Sequence, residues 1–234
     1  MRQGEPGKDN TQHSAQTTRA LLRLMAWLSP AFPIGGFAYS GGLERAVHDR
    51  LIGNGEVLCR WLETLLRHGS LWTDSVILSV AWRSFDDRPA LADLAELGLA
   101  LAGSAERHAE TLALGRGFAE AAKNWPAEVF EILPRDLPFP VAVGGVAAAH
   151  EIAVEPVLAA YLHAAVSQMV SASIRLGICG QTEGLSVLAR LEPAIETVAA
   201  RGGQLTLEDL GNAAVQADIA SLRHETQHSR LFRS

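Results

Sequence analysis

The sequence predicts an all-α protein, folded as a single compact domain of about ten helices over residues 19–234. Apolar residues recur at three- or four-residue steps along most of the chain, as they do on the buried face of a helix. No run of β-branched residues alternates with polar ones over four positions between turns, so no strand is predicted. Of the 234 residues 48% are hydrophobic, which is enough for a sizeable core.

The N-terminal region divides into a tail, a helix and a loop. Residues 1–18 are polar and rich in Gly, Gln, Ser and Thr, which predicts a disordered tail. A helix begins at Arg19 and is broken before Pro30 and Pro33, because a residue that precedes proline avoids the α region. We expect the Pro- and Gly-rich segment 29–42 to be an ordered loop. Four of its side chains are too apolar to be left in water: Phe32, Ile34, Phe37 and Tyr39.

The rest of the chain has helical periodicity. The predicted helical segments are 56–83 as one long helix, 88–122 as two helices joined at Gly103-Ser104, 128–133 as a short turn, and 138–150, 157–174, 182–200 and 212–228 as further helices. Whether Pro193 interrupts the segment 182–200 is left open. Thr206 precedes Asp209 by three residues, which is a helix-capping pattern.

Composition excludes several classes of function. The net charge is −6 and the acidic and basic residues are interleaved, so no basic stripe exists for nucleic acid. The first 18 residues lack the apolar core of a signal peptide, and the longest apolar stretch, 138–149, is too short to span a bilayer. Cys59 and Cys179 belong to no CxxC pair and fit reduced, buried thiols. The sequence therefore predicts a cytoplasmic protein with no membrane segment.

Residues 224–228 read HETQH and match the HExxH zinc motif, in which two imidazoles share one helix face. A zinc site needs a third protein ligand, which common families place further along the chain. Only residues 229–234 follow here, and they contain no His and no acid. We therefore predict no metal site, while a zinc hydrolase or metal-binding protein that uses His224 and His228 stays the alternative.

Other catalytic signatures are absent from the sequence. It contains no GxxxxGK[ST] or GxGxxG loop for nucleotides and no GxSxG nucleophile elbow. We therefore expect no cofactor and no enzymatic activity.

Three stretches are unlike ordinary helix sequences: the aromatic, Gly-rich segment 29–44, the polar break 180–184, and the terminal segment 223–234. The last places Leu231 and Phe232 between two arginines. Apolar side chains flanked by arginine are typical of a docking segment, because aromatics and arginine dominate interface energies. A tail folded back on its own core is an equal alternative.

The same three stretches resemble the UreF family of urease accessory proteins. The resemblance rests on SPAFPIGGFAYSGGLE, GQTEG and HETQHSRLFRS, and it extends over residues 19–234. It implies an all-α fold, a homodimer and no enzymatic activity. It also implies binding to UreD (also called UreH), recruitment or regulation of the GTPase UreG, and delivery of nickel to apo-urease.

The resemblance assigns roles to residues by position. The signature loop comprises Pro30, Phe32, Pro33, Gly35, Gly36, Tyr39, Ser40, Gly42 and Glu44. The implied partner-binding residues are Arg175, Gln181, Glu183, Arg223, His224, Glu225, Arg230, Leu231, Phe232, Arg233 and Ser234. Three positions depart from the family pattern: His228 stands where tyrosine is expected, Cys179 replaces an apolar residue, and Gly41 replaces a polar one.

Overall fold

The computed structural model describes residues 8–234, with side chains from residue 15 onward. These residues form ten α-helices and three 3-10 helices and no strand, which confirms the all-α prediction. The helices are α1 Lys8–Trp27, α2 Leu43–His48, α3 Gly55–His68, α4 Ser70–Arg83, α5 Arg88–Ala100, α6 Ala105–Ala122, α7 Phe139–Ala149, α8 Val154–Arg175, α9 Gln181–Ala199 and α10 Val215–His224. The 3-10 helices are Gly36–Ala38, Glu128–Glu131 and Leu207–Asp209.

Helix α1 begins inside the segment predicted to be a disordered tail. Residues 8–18 are helical, so the helix begins before the predicted start at Arg19, and residues 1–7 of the predicted tail lie outside the described residues. The polar turns extend a helix whose last turns are anchored by the buried side chains of Leu24 and Trp27. Extending an existing helix by one turn costs far less than nucleating a new one, so polar residues suffice.

The segment predicted as one helix over 56–83 is two helices, α3 and α4. Gly69 separates them in an extended conformation, with φ −125° and ψ −151°. A Cβ at this position would lie 2.9 Å from the side chains of Leu65 and Ala214, so the close approach needs glycine. The apolar periodicity runs through the junction without interruption, and it therefore could not reveal the break.

Helix α7 lies at the centre of the domain, between α4 and α6. Its residues 140–148 are all buried. A Cβ on Gly144 would lie 2.4 Å from the Leu78 carbonyl oxygen of α4, and α6 approaches the preceding segment equally closely at Gly115. The small residues of α7 therefore allow close packing between the helices.

Helix α8 is long and apolar enough to satisfy a membrane-span criterion, with a mean hydropathy of 1.4, a feature that the sequence predictions missed. The same composition is common in core helices of soluble proteins, and its residues Val157, Leu158 and Val166 are fully buried in the core.

The C-terminal elements differ from prediction mainly in their ends. Helix α9 continues through Pro193, which is exposed and costs the helix one backbone hydrogen bond. The capping pattern at Thr206 and Asp209 is confirmed as a reciprocal capping box. Helix α10 is shorter than the predicted 212–228, and the last ten residues leave the helix and fold back over the domain.

Candidate partner-docking site

The loop 29–42 is shaped by three left-handed glycines. Gly35, Gly41 and Gly42 have φ of 76°, 61° and 79°, a region that residues with a side chain rarely adopt. Phe32 anchors the start of the loop, with its ring 5.6 Å from that of Phe118 in the core. The loop is therefore ordered, as the sequence predicts.

Phe37 is the exception, because its side chain is 68% exposed instead of buried. Its backbone is nevertheless tightly held. The Arg175 guanidinium donates to the Phe37 carbonyl at 2.8 Å, and the Gln168 amide donates to the carbonyls of Gly36 and Tyr39. An aromatic ring thus stands in solvent on a fixed turn.

The C-terminal segment 230–234 packs against this loop. The Arg233 amide donates to the Ala38 carbonyl at 2.8 Å, and the Ser40 amide donates to the Ser234 carbonyl at 2.8 Å. Phe232 is only 3% exposed and Ser234 only 1%. Of the two alternatives for this segment, the structure adopts the tail folded on its own core with Phe232 buried, and a partner-binding role for Phe232 stays a prediction.

The carboxylate of Glu44 fixes this tail. It accepts the Leu231 amide at 2.7 Å and the Phe232 amide at 2.9 Å, and it lies 3.2 Å from Nε2 of His224. Glu44 is buried, so each of these charge-assisted bonds is shielded from water. We call residues 230–234 together with residues 37–44 the C-terminal lock.

His224 is fully buried and both of its ring nitrogens are engaged. Nδ1 lies 2.6 Å from Glu106, and Nε2 faces Glu44. Arg230 also pairs with Glu106. His228 is exposed, and no group of three potential metal ligands occurs within the described residues. The HExxH pattern therefore places one imidazole beside the lock, with both ring nitrogens facing carboxylates, and the other imidazole on the surface.

A buried ionic cluster continues from the lock into the core. Ser234 Oγ donates to Glu110 at 3.0 Å, Glu110 pairs with Arg107, and Arg107 pairs with Asp74 at 2.6 Å. Burial raises the pKa of Glu110, and the positive charge of Arg107 only partly offsets this effect. Burial and the Asp74 carboxylate, which accepts the hydroxyl of Tyr161, raise the pKa of that phenol well above its ordinary value.

The remaining predicted residues have local roles. Glu183 accepts the Gly55 amide at the start of α3, and Gln181 is exposed at the start of α9; neither contributes to the lock. Glu225 accepts the first amide of α6. Arg223 pairs with Asp49 at 2.8 Å.

Arg175 is the predicted cation that the fold does bring to the lock. Its guanidinium lies 4.3 Å from the centre of the Phe232 ring. Sequence reasoning missed Glu106, Glu110 and Gln168, because each sits in an ordinary helical stretch with no local signal.

Three exposed side chains on the outer side of the lock combine apolar and cationic character. These are the Phe37 ring, the Leu231 side chain, which is 55% exposed, and the Arg233 guanidinium. The geometry offers a surface of apolar and cationic groups on hydrogen-bonded backbone, and this is the character of a protein-docking surface.

Comparison with known proteins identifies the family. The family model UreF matches residues 52–192, more than half of the chain. The urease accessory protein UreF of Agrobacterium fabrum (strain C58 / ATCC 33970) is 60% identical over 215 residues, covering 92% of this chain and 96% of that protein. Proteins of the same name from Rhizobium etli and Sinorhizobium medicae are 59% and 52% identical, over 92% and 93% of this chain and 97% of each relative. The chain therefore belongs to the UreF family of urease accessory proteins.

Proposed function

We propose that this protein is a cytoplasmic scaffold for urease maturation. In this role it binds UreD (UreH) and recruits or regulates the GTPase UreG, so that nickel is delivered to apo-urease. Membership of the UreF family supports a role in urease maturation. The C-terminal lock supports a role in binding other proteins.

The single observation that carries the proposal is the set of hydrogen bonds that holds the backbone of the lock. Phe37, Leu231 and Arg233 project from backbone that is already held by hydrogen bonds to Arg175, Glu44 and Ala38. A surface ordered before binding loses little conformational entropy on association, which favours affinity. The polar groups beneath it are occupied in holding it together, so we expect the protein to act by binding and to catalyse no reaction.

The corresponding test removes the exposed side chains and leaves the lock intact. We expect Phe37→Ala combined with Leu231→Ala to weaken binding to UreD, to UreG, or to their complex by about tenfold or more, as loss of interface hot spots does. Both side chains are largely exposed, so the melting temperature should change little. Affinity is measured by titration calorimetry with each partner.

Leu185→Ala provides the matched control, since Leu185 is an equally exposed leucine on α9, outside the lock. It should bind as the wild type does. Wild-type affinity of the double variant for both partners would contradict the proposal. Deleting residues 230–234 is a poorer test, because it also removes the buried Phe232 and destabilises the domain.

We further propose that the protein is a homodimer formed through α1 and the cleft beside it. Leu21 and Met25 are more than half exposed, and Leu28 continues the same helix face into a cavity of about 540 Å³. Small residues of α8, including Ala164 and Ser167, line that cavity. One chain thus has both a ridge of large side chains and a cleft lined by small ones. In a two-fold dimer, the ridge of each copy can enter the cleft of the other.

Leu21→Asp combined with Met25→Asp should convert the dimer into a monomer, because burying two carboxylates in an apolar interface is unfavourable. Sedimentation velocity measures the change. Leu185→Asp, which adds a carboxylate to α9, should leave the dimer intact. A monomeric wild type, or a dimeric double variant, would refute the proposed interface.

A further inference from the structure

The polar break 180–184, one of the three unusual stretches, makes a contact that is separate from the C-terminal lock. Glu183, in the first turn of α9, accepts the backbone amide of Gly55 at 3.0 Å. The next residue, Gly184, lies against α8, where an added Cβ would be 2.9 Å from the Ile174 side chain. The glycine therefore allows α9 to begin close to α8, and the glutamate connects α9 to the first residue of α3.

The amide that Glu183 accepts belongs to an asparagine–glycine pair. Of the four asparagines in the sequence, only Asn54 is followed by glycine, and its side chain is exposed. In such a pair the glycine nitrogen can attack the asparagine side chain, because glycine has no side chain of its own to hinder the approach. Asn54 is therefore a candidate for spontaneous deamidation.

Deamidation consumes one water molecule, releases ammonia and needs no other reactant. The Gly55 nitrogen gives its proton to a base in solution and bonds to the side-chain carbonyl carbon of Asn54, which closes a cyclic imide. The side-chain nitrogen takes up a proton and leaves as ammonia. Water then opens the imide at either carbonyl, which leaves an aspartate or an isoaspartate at position 54. The isoaspartate has one extra carbon in the main chain.

Two hydrogen bonds oppose this reaction in the folded protein. The Asn54 side chain caps α3 by accepting the Val57 amide at 3.0 Å, and it must give up this bond to turn onto the Gly55 nitrogen. The Gly55 amide proton points at the Glu183 carboxylate, and the nitrogen attacks only after it has lost that proton. A negative charge disfavours the formation of an anion beside it, so the carboxylate makes the proton harder to remove.

We propose that Asn54 is a deamidation site and that Glu183 protects it. The hydrogen bond between α9 and α3 keeps the site unreacted for as long as it is formed. Isoaspartate at position 54 would lengthen the main chain before Gly55, which removes the cap from α3 and displaces Gly55 from Glu183. This inference does not depend on the proposed function, because it concerns the chemical lifetime of the folded chain.

Peptide mass spectrometry tests the proposal on the folded protein, incubated in mildly alkaline buffer and then digested with trypsin. The tryptic peptide 51–60 contains Asn54 as its only side-chain amide, so a gain of acid in this peptide reports on that residue alone. Peptide 124–135 is the internal reference, because its only side-chain amide, Asn124, precedes a tryptophan.

We expect Glu183→Ala to deamidate at Asn54 about threefold faster than the wild type or more, because a hydrogen bond to a charged group is worth at least this factor. The rate at Asn124 should not change. Glu192→Ala is the matched control, since it removes another exposed carboxylate of α9 and should react at the wild-type rate. Asn54→Ser keeps a capping side chain and should abolish the conversion in its peptide.

Each other outcome would overturn the inference. An unchanged rate in Glu183→Ala would show that the carboxylate does not protect, and a slower rate would show that it is the base that removes the Gly55 proton. Hydrogen exchange at the amide of Leu62, which is fully buried in α3, measures opening of the domain. An equal rise in that exchange would assign a faster rate to unfolding. Absence of conversion at Asn54 in urea-unfolded wild type would show that the pair is unreactive.

Discussion

Replacing Glu44 by alanine is expected to lower the free energy of unfolding by about 3–5 kcal/mol, the range for removing one partner of a buried charged network. The substitution leaves the amides of Leu231 and Phe232 and one nitrogen of His224 without their acceptor. Each is buried or half-buried, so water replaces the lost bonds poorly. The tail should detach from the loop before the domain unfolds.

Urea unfolding followed by circular dichroism measures the loss of stability, and hydrogen exchange measures the protection of the Leu231 and Phe232 amides. Glu63→Ala is the control, because that carboxylate lies on the surface and pairs with Arg67 along α3. Its effect should stay below about 1 kcal/mol. An equally small effect for Glu44→Ala, with the tail amides still protected, would show that Glu44 does not hold the lock.

Gly115→Ala is expected to be at least as damaging, with a loss of about 3 kcal/mol or more and little soluble protein. A Cβ at this position would lie 1.9 Å from the Leu137 carbonyl oxygen and 2.8 Å from the carbonyl carbon of Pro138. These are backbone atoms at the start of α7, so relief requires α6 and α7 to move apart. Because α7 is the central helix, the displacement disturbs the packing of its neighbours.

Gly117→Ala is the matched control two residues further along α6. The nearest atom to its Cβ is the Ile34 Cα at 3.5 Å, an ordinary contact. We expect this variant to be neutral or to gain up to about 1 kcal/mol, because alanine favours helix more than glycine does. Thermal unfolding of the two variants side by side checks the prediction, and equal stability of the pair would contradict it.

The fold was predictable from sequence because helical periodicity is a local property. Most helices lie within a few residues of their predicted positions. The break at Gly69 was missed because it depends on a contact with Ala214, which is 145 positions away in the chain and leaves no trace in the local pattern. The early start of α1 was missed because polar composition alone does not distinguish a disordered tail from an exposed helix end.

The candidate docking site was only partly predictable, for the same reason. The unusual composition of the loop and the tail identified both halves of the lock. Their contact, the burial of Phe232 and the exposure of Phe37 depend on side chains such as Glu106 and Gln168 from remote helices. The sequence indicates that Phe37 and Phe232 lie in segments of unusual composition, but it does not specify which of the two rings faces solvent.

The hydrogen bonds between Ser40 and Ser234 join residues 194 positions apart. During synthesis the loop emerges long before residues 230–234, its binding partner in the lock. Closing so long a chain segment is entropically costly, and the lock cannot form before residues 230–234 have been translated. The proposed docking surface is therefore complete only in a chain translated through residue 234, and we expect chains truncated before the lock to lack it.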